Sequence, residues 1–382
     1  MDSIAPLFDA APAADPTYTT GILPAQELRH LIHVTREIRA LEPILDEQIQ
    51  PASVDLRLGP KAYRVRASFL PGARATVQEK LRDFAMHEMD INCGGVLEKG
   101  CVYIVPLLEA LTLKHRMFAL ANPKSSTGRL DIFTRVITDY GVEFDRIREG
   151  YKGPLYAEIS PRTFSVLVRK GSRLSQLRIR RGAPLSSDLQ HKDLQQRFKL
   201  VDRALSDDEI RNGVPITVDV HGEAGSRIIG YKAKNHAGLV DVDRVAHYDP
   251  GEFWDPVIAP QNHGLILDPA DFYILASREA VKVPPGYAAE MIAYDTLVGE
   301  FRVHYAGFFD PGFGDASAGG EGARAVLEVR SYEVPFVIED GQVVGRLVYE
   351  RLTEPPEKLY GVGLNSNYQR QGLKLSKHFK AF

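Results

Sequence analysis

The segment Tyr103-Ile104-Val105-Pro106-Leu107-Leu108-Glu109-Ala110 has a counterpart 170 residues later, Tyr273-Ile274-Leu275-Ala276-Ser277-Arg278-Glu279-Ala280. Both segments begin with Tyr-Ile and end with Glu-Ala, and the same offset relates Glu158 to Glu328. Convergent strand composition could produce isolated matches of this kind, whereas one offset held over a long stretch favours a duplicated sequence. We therefore predict two tandem copies of one domain.

The predicted copies are residues 1–205 and residues 206–382. Their seam falls where Ser206-Asp207-Asp208-Glu209 has the pattern of a capped short helix. The 32 Gly and 24 Pro residues are spread along the chain, with short apolar or alternating runs between them, which is typical of many short strands. We therefore expect an all-β fold with a few short helices, built as two closed or sandwiched β domains. The first domain is predicted to begin with a helix over 24–39.

The composition is that of a globular protein without a dominant charge. The chain has 382 residues, with 47 Lys and Arg against 50 Asp and Glu, and a formal net charge of -3. No global field therefore draws it to nucleic acid or to a membrane surface. The sequence has no run of ~18 apolar residues and no signal-peptide pattern at its start, and its two cysteines cannot form a disulfide framework. We expect a cytoplasmic protein that contacts neither nucleic acid nor membrane.

A dense polar cluster, Lys124-Ser125-Ser126-Thr127-Gly128-Arg129, lies between two apolar runs. Backbone N–H groups at a helix start and serine hydroxyls donate to phosphate oxygens, and Lys124 and Arg129 add positive charge. The cluster lacks the Gly-x-x-x-x-Gly-Lys-Ser/Thr spacing of a Walker A loop. Two interpretations stay open here: an anion-binding turn, or a solvated turn with capping serines.

Glu158 is the second candidate, because it lies in the strand-like run Leu155-Tyr156-Ala157-Glu158-Ile159. Strand alternation places Tyr156 and Glu158 on the same face. If that face borders a cavity, desolvation raises the carboxyl pKa toward that of a useful general base. If it borders solvent, Glu158 is an ordinary strand glutamate, and alternation alone does not decide between the two.

The segment from Tyr360 to Gly372 is polar, aromatic and punctuated by glycine. Glycines allow bending, tyrosines stack on a base and glutamines hydrogen-bond phosphate, so one interpretation is a mobile lid over a nucleotide. The other is a frayed terminus.

Zinc chemistry is not expected. Zinc-dependent nucleobase deaminases carry a His-x-Glu and a Pro-Cys-x-x-Cys. Here Cys93 and Cys101 are too far apart for the second motif, His87-Glu88 lacks the spacing of the first, and the 11 histidines are scattered.

Taken together, the Lys124–Leu130 cluster, the strand glutamate Glu158, Gly171 and the Gln50–Gly59 segment resemble the dCTP deaminase branch of the dUTPase-like superfamily. The resemblance spans about Leu28 to Arg181 and, more weakly, the whole second copy. It implies a dUTPase-like distorted β-barrel or jelly roll in each copy. It also implies hydrolytic deamination of dCTP to dUTP and ammonia for dTTP synthesis, without zinc. Mg²⁺ would arrive with the triphosphate.

The resemblance also implies roles for single residues. Glu158 would be the catalytic acid/base, and Ser125 and Arg129 would orient water and polarise the cytosine. The remaining nucleotide-binding residues implied for the turn, the sugar contact, the strand and the lid are Lys124, Ser126, Thr127, Gly128, Asp139, Tyr156, Tyr360 and Gln371.

The two copies do not carry the same motif. At the 170-residue offset, Asp295-Thr296 stands for Ser125-Ser126 and Gly299 for Arg129, and an aspartate would repel a triphosphate. Yet only the second copy is followed by the lid-like tail, in which Asn367 stands where the family usually has a lysine.

These differences suggest a division of labour. The first copy would supply the Lys124–Arg129 turn and Glu158, and the second would supply structure and the tail. The tail would close over a site on the same or a neighbouring chain. Family sites form between subunits, so a homo-oligomer is expected, with a trimer favoured. Truncation at Thr353 should leave a folded, inactive protein.

Two other functions stay open. One is a dUTP pyrophosphatase, or an enzyme with both activities, since Val136-Ile137-Thr138-Asp139-Tyr140 partly resembles the hydrolase turn. The other is a non-catalytic nucleotide-binding β module.

Overall fold

The computed structural model describes residues 19–381 apart from 185, 223–225, 261–263, 294–301, 304–306, 332 and 362–367. The segments Asp295-Thr296 and Gly299, and the residue Asn367, lie outside the described residues. Within the described part of the chain, no helix is long and apolar enough to cross a bilayer. The cytoplasmic location stays a prediction.

The first copy consists mainly of short strands with three short helices between them. Its elements are β1 (Gly21–Ile22), α1 (Ala25–His33), β2 (Ile38–Ala40), β3 (Val54–Leu56), β4 (Lys61–Val65), α2 (Val77–Phe84), β5 (Ala85–Asp90), β6 (Gly95–Leu97), β7 (Val102–Thr112), β8 (Met117–Pro123), α3 (Ser125–Gly128), β9 (Ile132–Thr138), β10 (Arg146–Ile147), β11 (Lys152–Pro161), β12 (Val166–Val168) and β13 (Ser175–Arg181).

The second copy repeats this order with fewer helical residues. Its elements are α4 (Asp188–Phe198), β14 (Val214–Thr217), β15 (Ile228–Ala233), β16 (Val240–Asp241), α5 (Pro250–Phe253), β17 (Trp254–Ile258), β18 (Gly264–Leu267), β19 (Phe272–Val281), β20 (Tyr287–Ala293), β21 (Arg302–Val303), β22 (Phe308–Phe309), β23 (Ala323–Arg330), β24 (Phe336–Glu339) and β25 (Val343–Arg351).

The two main sheets have corresponding strand orders in both copies, and the first copy adds β1 and β2 to them. One sheet has the order β5-β4-β7-β11-β9 in the first copy and β17-β15-β19-β23-β21 in the second. A second sheet contains β13 and β8 in the first copy, and β25 and β20 in the second. The duplicated sequence therefore folds as a duplicated, mostly β structure, and the predicted fold class is confirmed.

A buried glutamate explains why the opening segment is shared by both copies. Glu109 on β7 accepts hydrogen bonds from the backbone N–H and the Nε of Arg57, both at 2.8 Å. Glu279 on β19 accepts from the backbone N–H of Thr217 at 2.9 Å and from Nε of Arg203 at 2.8 Å. Each carboxylate thus ties its central strand to the preceding segment, and its burial is offset because it is hydrogen-bonded and ion-paired.

The helices are shorter than the sequence predicts. The first helix begins as expected after Pro24 but ends at His33, and the chain then turns into β2. Helix α4 lies before the predicted seam at Ser206. Leu194 of this helix and the following Leu200 nevertheless pack in the hydrophobic core of the second copy, so we describe α4 with that copy.

The copies share an extensive interface. Ile22 and Ala52 of the first copy form a small buried cluster with Ala288 and Leu352 of the second. The third strand of the β6-β12-β16 sheet comes from the second copy, and it runs parallel to β12. This contact brings the Lys124–Arg129 turn of one copy against β23 of the other.

Candidate active site

A cavity of about 580 Å³ lies at the interface between the copies. Its polar wall comes largely from the first copy, and its aromatic wall comes from the second. The lining residues are Asp46, Glu47, Gln50, Asp55, Lys124, Ser125, Ser126, Arg129, Arg173, Gln176, Met291, Gly307, Phe308, Phe309, Asp310, Phe313, Val326, Glu328, Lys358, Tyr360, Tyr368, Gln371 and Lys377.

The predicted polar turn forms one wall of this cavity. Lys124 has an extended backbone conformation, and the four residues of α3 follow it directly. The backbone N–H groups of Thr127 and Gly128 donate to the carbonyl of Lys124 at 2.8 and 3.0 Å, which closes the turn. Thr127 and Gly128 are buried behind Ser125 and Ser126, so they support the turn and do not line the cavity.

Arg129 is fixed by the C-terminal tail. Its Nη1 donates to the carbonyl of Lys374 at 2.9 Å, and its Nη2 donates to Oε1 of Gln371 at 3.0 Å. The guanidinium carbon lies 3.9 Å from the ring centre of Tyr368, a cation–π distance. Its Nε is buried and has no hydrogen-bond partner.

The carboxylate beside Arg129 belongs to Glu328. Oε1 of Glu328 lies 3.9 Å from Nε of Arg129, and both side chains are almost fully buried. Burial raises the pKa of Glu328 to about 8, although the positive charge of Arg129 acts in the opposite direction. A carboxyl group with such a pKa exchanges protons near neutral pH, which suits a general acid or base.

Glu158, the carboxylate predicted from the sequence, does not line this cavity. It lies opposite Arg135 in the pairing of β11 with β9, and its Oε1 accepts from Nε of Arg135 at 3.1 Å. Arg135 in turn stacks on Phe144, with 3.3 Å between the guanidinium carbon and the ring centre. Tyr156 packs in an apolar cluster with Ile104 and its neighbours. The structure therefore brings neither Tyr156 nor Glu158 to Ser125 and Arg129.

Asp139, which the resemblance implies for the sugar contact, differs from Asp310, which begins the equivalent turn of the second copy. Asp139 of the first copy accepts a hydrogen bond from the backbone N–H of Val77 at 2.8 Å, at the start of α2. Asp310 of the second copy lines the cavity, and Nη2 of Arg178 lies 3.2 Å from its Oδ1. Burial raises the pKa of Asp310, and Arg178 opposes that shift. The aspartate that faces the cavity is therefore Asp310.

The tail lines the cavity through Tyr360 and Gln371, as the resemblance implies. Its end, however, is not a free lid. Phe379 is buried in the core with Trp254 and Phe253, with ring-centre distances of 5.9 and 5.3 Å. The expectation that truncation at Thr353 leaves the fold intact therefore overlooked a core residue.

Sequence reasoning missed Glu328, Asp310 and Tyr368 as site residues. The sequence already carried a signal for two of them. Glu328 matches Glu158 in the internal repeat. Asp310-Pro311-Gly312-Phe313 resembles the turn that carries the sugar-binding aspartate in the family more closely than Asp139-Tyr140-Gly141 does. The missing information was that the turn of one copy meets the strand of the other.

Family models match nearly the whole described chain. The N-terminal domain of 2'-deoxycytidine 5'-triphosphate deaminase matches residues 19–183, and the C-terminal domain matches residues 187–379. The chain belongs to the dCTP deaminase family. The predicted resemblance and its tandem form are thereby confirmed.

A solved dCTP deaminase has a similar structure. The crystal structure of 2'-deoxycytidine 5'-triphosphate deaminase from Agrobacterium tumefaciens is 56% identical, with a TM-score of 0.83. The match covers 87% of this chain and 99% of that one. The similarity therefore extends over both copies.

Curated dCTP deaminases match shorter stretches. The "dCTP deaminase, dUMP-forming" of Methanobrevibacter smithii is 31% identical over 134 residues, which are 34% of this chain and 65% of that protein. The "dCTP deaminase" of Halorubrum lacusprofundi is 30% identical over 142 residues, 36% of this chain and 66% of that protein. The chain thus spans slightly less than two thirds of these relatives.

Proposed function

We propose that this chain deaminates dCTP hydrolytically at the cavity between its two copies. The observation that carries the proposal is the position of Glu328, a buried carboxyl group that lies beside the guanidinium of Arg129 and lines the same cavity as Ser125 and Ser126. Glu328 thus takes the acid/base role that the resemblance implies for Glu158.

The reaction needs one group that accepts and returns a proton. Ionised Glu328 takes a proton from water, whose oxygen adds to C4 of the cytosine, and delivers it to N3. The hydroxyl group now on C4 then gives up its proton, which Glu328 passes to the exocyclic nitrogen as the C4–N bond breaks, so that ammonia leaves and a C4 carbonyl remains. No oxidant and no metal take part in these steps.

Ser125 and Arg129 position the reactants. The Ser125 hydroxyl orients the water. Arg129 is held by Lys374, Gln371 and the ring of Tyr368, and its Nε, which makes no hydrogen bond in the described structure, donates to the substrate. Donors fixed in this way stabilise developing negative charge without reorganisation.

The rest of the cavity matches the other parts of dCTP. Phe308, Phe309 and Phe313 form an apolar wall for base and sugar, and Asp310 is placed to accept from a deoxyribose hydroxyl. Lys124 and Ser126 face the triphosphate, which enters as its Mg²⁺ complex. The Mg²⁺ ion is therefore part of the substrate.

A second activity follows from the names of relatives. The Methanobrevibacter smithii protein is named dUMP-forming, which implies cleavage of the triphosphate after deamination. We propose dUTP as the product of the deamination step in this chain, and dUMP with pyrophosphate as the alternative end product.

The test is incubation of the purified chain with dCTP and Mg²⁺, followed by chromatography of the nucleotides and an ammonia assay. Ammonia with dUTP supports the deaminase alone, and ammonia with dUMP and pyrophosphate supports the bifunctional enzyme. Activity that persists after treatment with a zinc chelator supports the zinc-free mechanism. Nucleotide binding without ammonia would contradict the proposal and favour a binding module.

Arg129 of the first copy and Glu328 of the second belong to the same chain. The homo-oligomer, with a trimer favoured, stays a prediction.

A further inference from the structure

Most of the cations that line the cavity have a carboxyl group of the lining beside them. Among the described residues, the lining cations are Lys124, Arg129, Arg173, Lys358 and Lys377. Four of them lie beside a carboxyl group that also lines the cavity. The four pairs are Lys124 with Asp55, Arg129 with Glu328, Arg173 with Glu47 and Lys358 with Asp46.

Lys377 is the lining cation that belongs to none of these four pairs. Its Nζ forms no ion pair with the carboxylates of the described chain, and the lining carboxylate still to be counted, Asp310, is paired with Arg178 behind the wall. Burial lowers the pKa of Lys377, and the charge of Lys124 lowers it further, whereas the charges of Asp55 and Asp243 act in the opposite direction. A half-buried ammonium without a directly paired carboxylate is costly unless a bound anion neutralises it.

The backbone of Lys377 is held rigidly on both sides. Oγ of Ser376 donates to the carbonyl of Ser126 at 2.8 Å, which joins the tail to the serine turn itself. On the other side, a ring nitrogen of His378 lies 2.9 Å from the carbonyl of Val242, and the backbone N–H of Ala246 donates to the carbonyl of Lys377 at 2.9 Å. Little backbone entropy is therefore lost when the side chain binds a ligand.

We propose that Lys377 is a triphosphate-binding residue, which the tail places beside the Lys124–Ser126 turn. Lys377 supplies positive charge to the triphosphate, because the charges of Lys124 and Arg173 are already offset by their carboxylate partners. The inference rests on the proposed function, since it takes the anion to be the triphosphate of the nucleotide substrate. It makes one specific claim of its own: the contribution of Lys377 to binding affinity depends on the number of phosphates in the ligand.

The experiment measures binding of dCTP, dCDP and dCMP by calorimetry, in a Glu328→Gln background that prevents turnover. Adding Lys377→Met should weaken dCTP binding roughly 10- to 100-fold, the loss expected for one charge-assisted hydrogen bond. The same change should weaken dCDP binding less and leave dCMP binding unchanged. Lys377→Arg should restore most of the affinity for dCTP. Lys380→Met, which removes an exposed lysine of the same tail, is the matched control and should have no effect.

The inference is overturned if Lys377→Met leaves dCTP affinity unchanged, or if it weakens dCMP binding as much as dCTP binding. The second result would indicate a merely structural role. Turnover of dCTP by the unmodified chain is measured separately, so a failed deaminase assay and a failed phosphate dependence are distinct results.

Discussion

Nε of Arg129 and Oε1 of Glu328 lie 3.9 Å apart, although one residue belongs to the first copy and the other to the second. A site that needs two domains is therefore assembled inside one polypeptide. Because the copies are covalently joined, their association does not depend on protein concentration.

The first prediction concerns binding stoichiometry. In the first copy, Glu158 is ion-paired with Arg135 and Asp139 is hydrogen-bonded to the start of α2, and neither lines the cavity, so we expect no second nucleotide site there. Calorimetric titration of the Glu328→Gln variant with dCTP should give one bound nucleotide per chain. Two equivalent sites per chain would show that the first-copy residues also form a site.

The second prediction concerns the pH dependence of turnover. Glu328 must be ionised to accept a proton from water, and its pKa in the unliganded protein is raised to about 8. For free enzyme and free substrate, kcat/KM should therefore rise with pH and level off above about 8. Steady-state rates between pH 5.5 and 9.5 measure this limb. A profile that is flat through this range would exclude Glu328 as the group that titrates.

The third prediction concerns stability. The folded pKa of Glu328 lies above the ordinary value of 4.5, so the folded state holds a proton that the unfolded state has lost between these two pH values. Stability therefore falls as pH rises from about 4.5 to 8, by on the order of a few kcal/mol. Glu328→Gln removes this cost and should raise the melting temperature of the unliganded protein at pH 8, with little change at pH 5. Equal shifts at both pH values would argue against the raised pKa.

The fourth prediction concerns the tail. Phe379 packs against Trp254, Phe253 and Tyr248 in the core, and Phe379→Ala should lower the free energy of unfolding by about 3–5 kcal/mol. Chemical denaturation measures the change, with the exposed Lys380→Ala as control. Truncation at Thr353 should likewise destabilise the protein. A truncated chain as stable as the full one would restore the interpretation of the tail as a lid alone.

The sequence contained enough information for the fold but not for the full site. The match between Glu109 and Glu279 helped to predict two copies. The structure explains the match, since each copy uses this buried carboxylate to hold its central strand to the preceding segment. The polar turn was also visible, since hydroxyls and cations concentrate there. The partner of Arg129 was not, because strand alternation specifies a face and not what covers it. Glu158 and Glu328 stand at equivalent positions, and only the packing of the copies decides which of them meets the turn.

Lys377 and Tyr368 could not be placed from the sequence for a similar reason. Their positions depend on Ser376 meeting the carbonyl of Ser126, a contact between residues 250 positions apart. No local pattern encodes such a separation.

The central claim is that Glu328, and not Glu158, acts on the substrate. Ammonia release from dCTP should be measured for Glu328→Gln and Glu158→Gln side by side, with dCTP binding as a check that each variant keeps its site. We predict a loss of at least about 1,000-fold for Glu328→Gln, the scale expected when an essential proton-transfer group is removed, and near-normal turnover for Glu158→Gln. Normal turnover in Glu328→Gln with loss in Glu158→Gln would contradict the account.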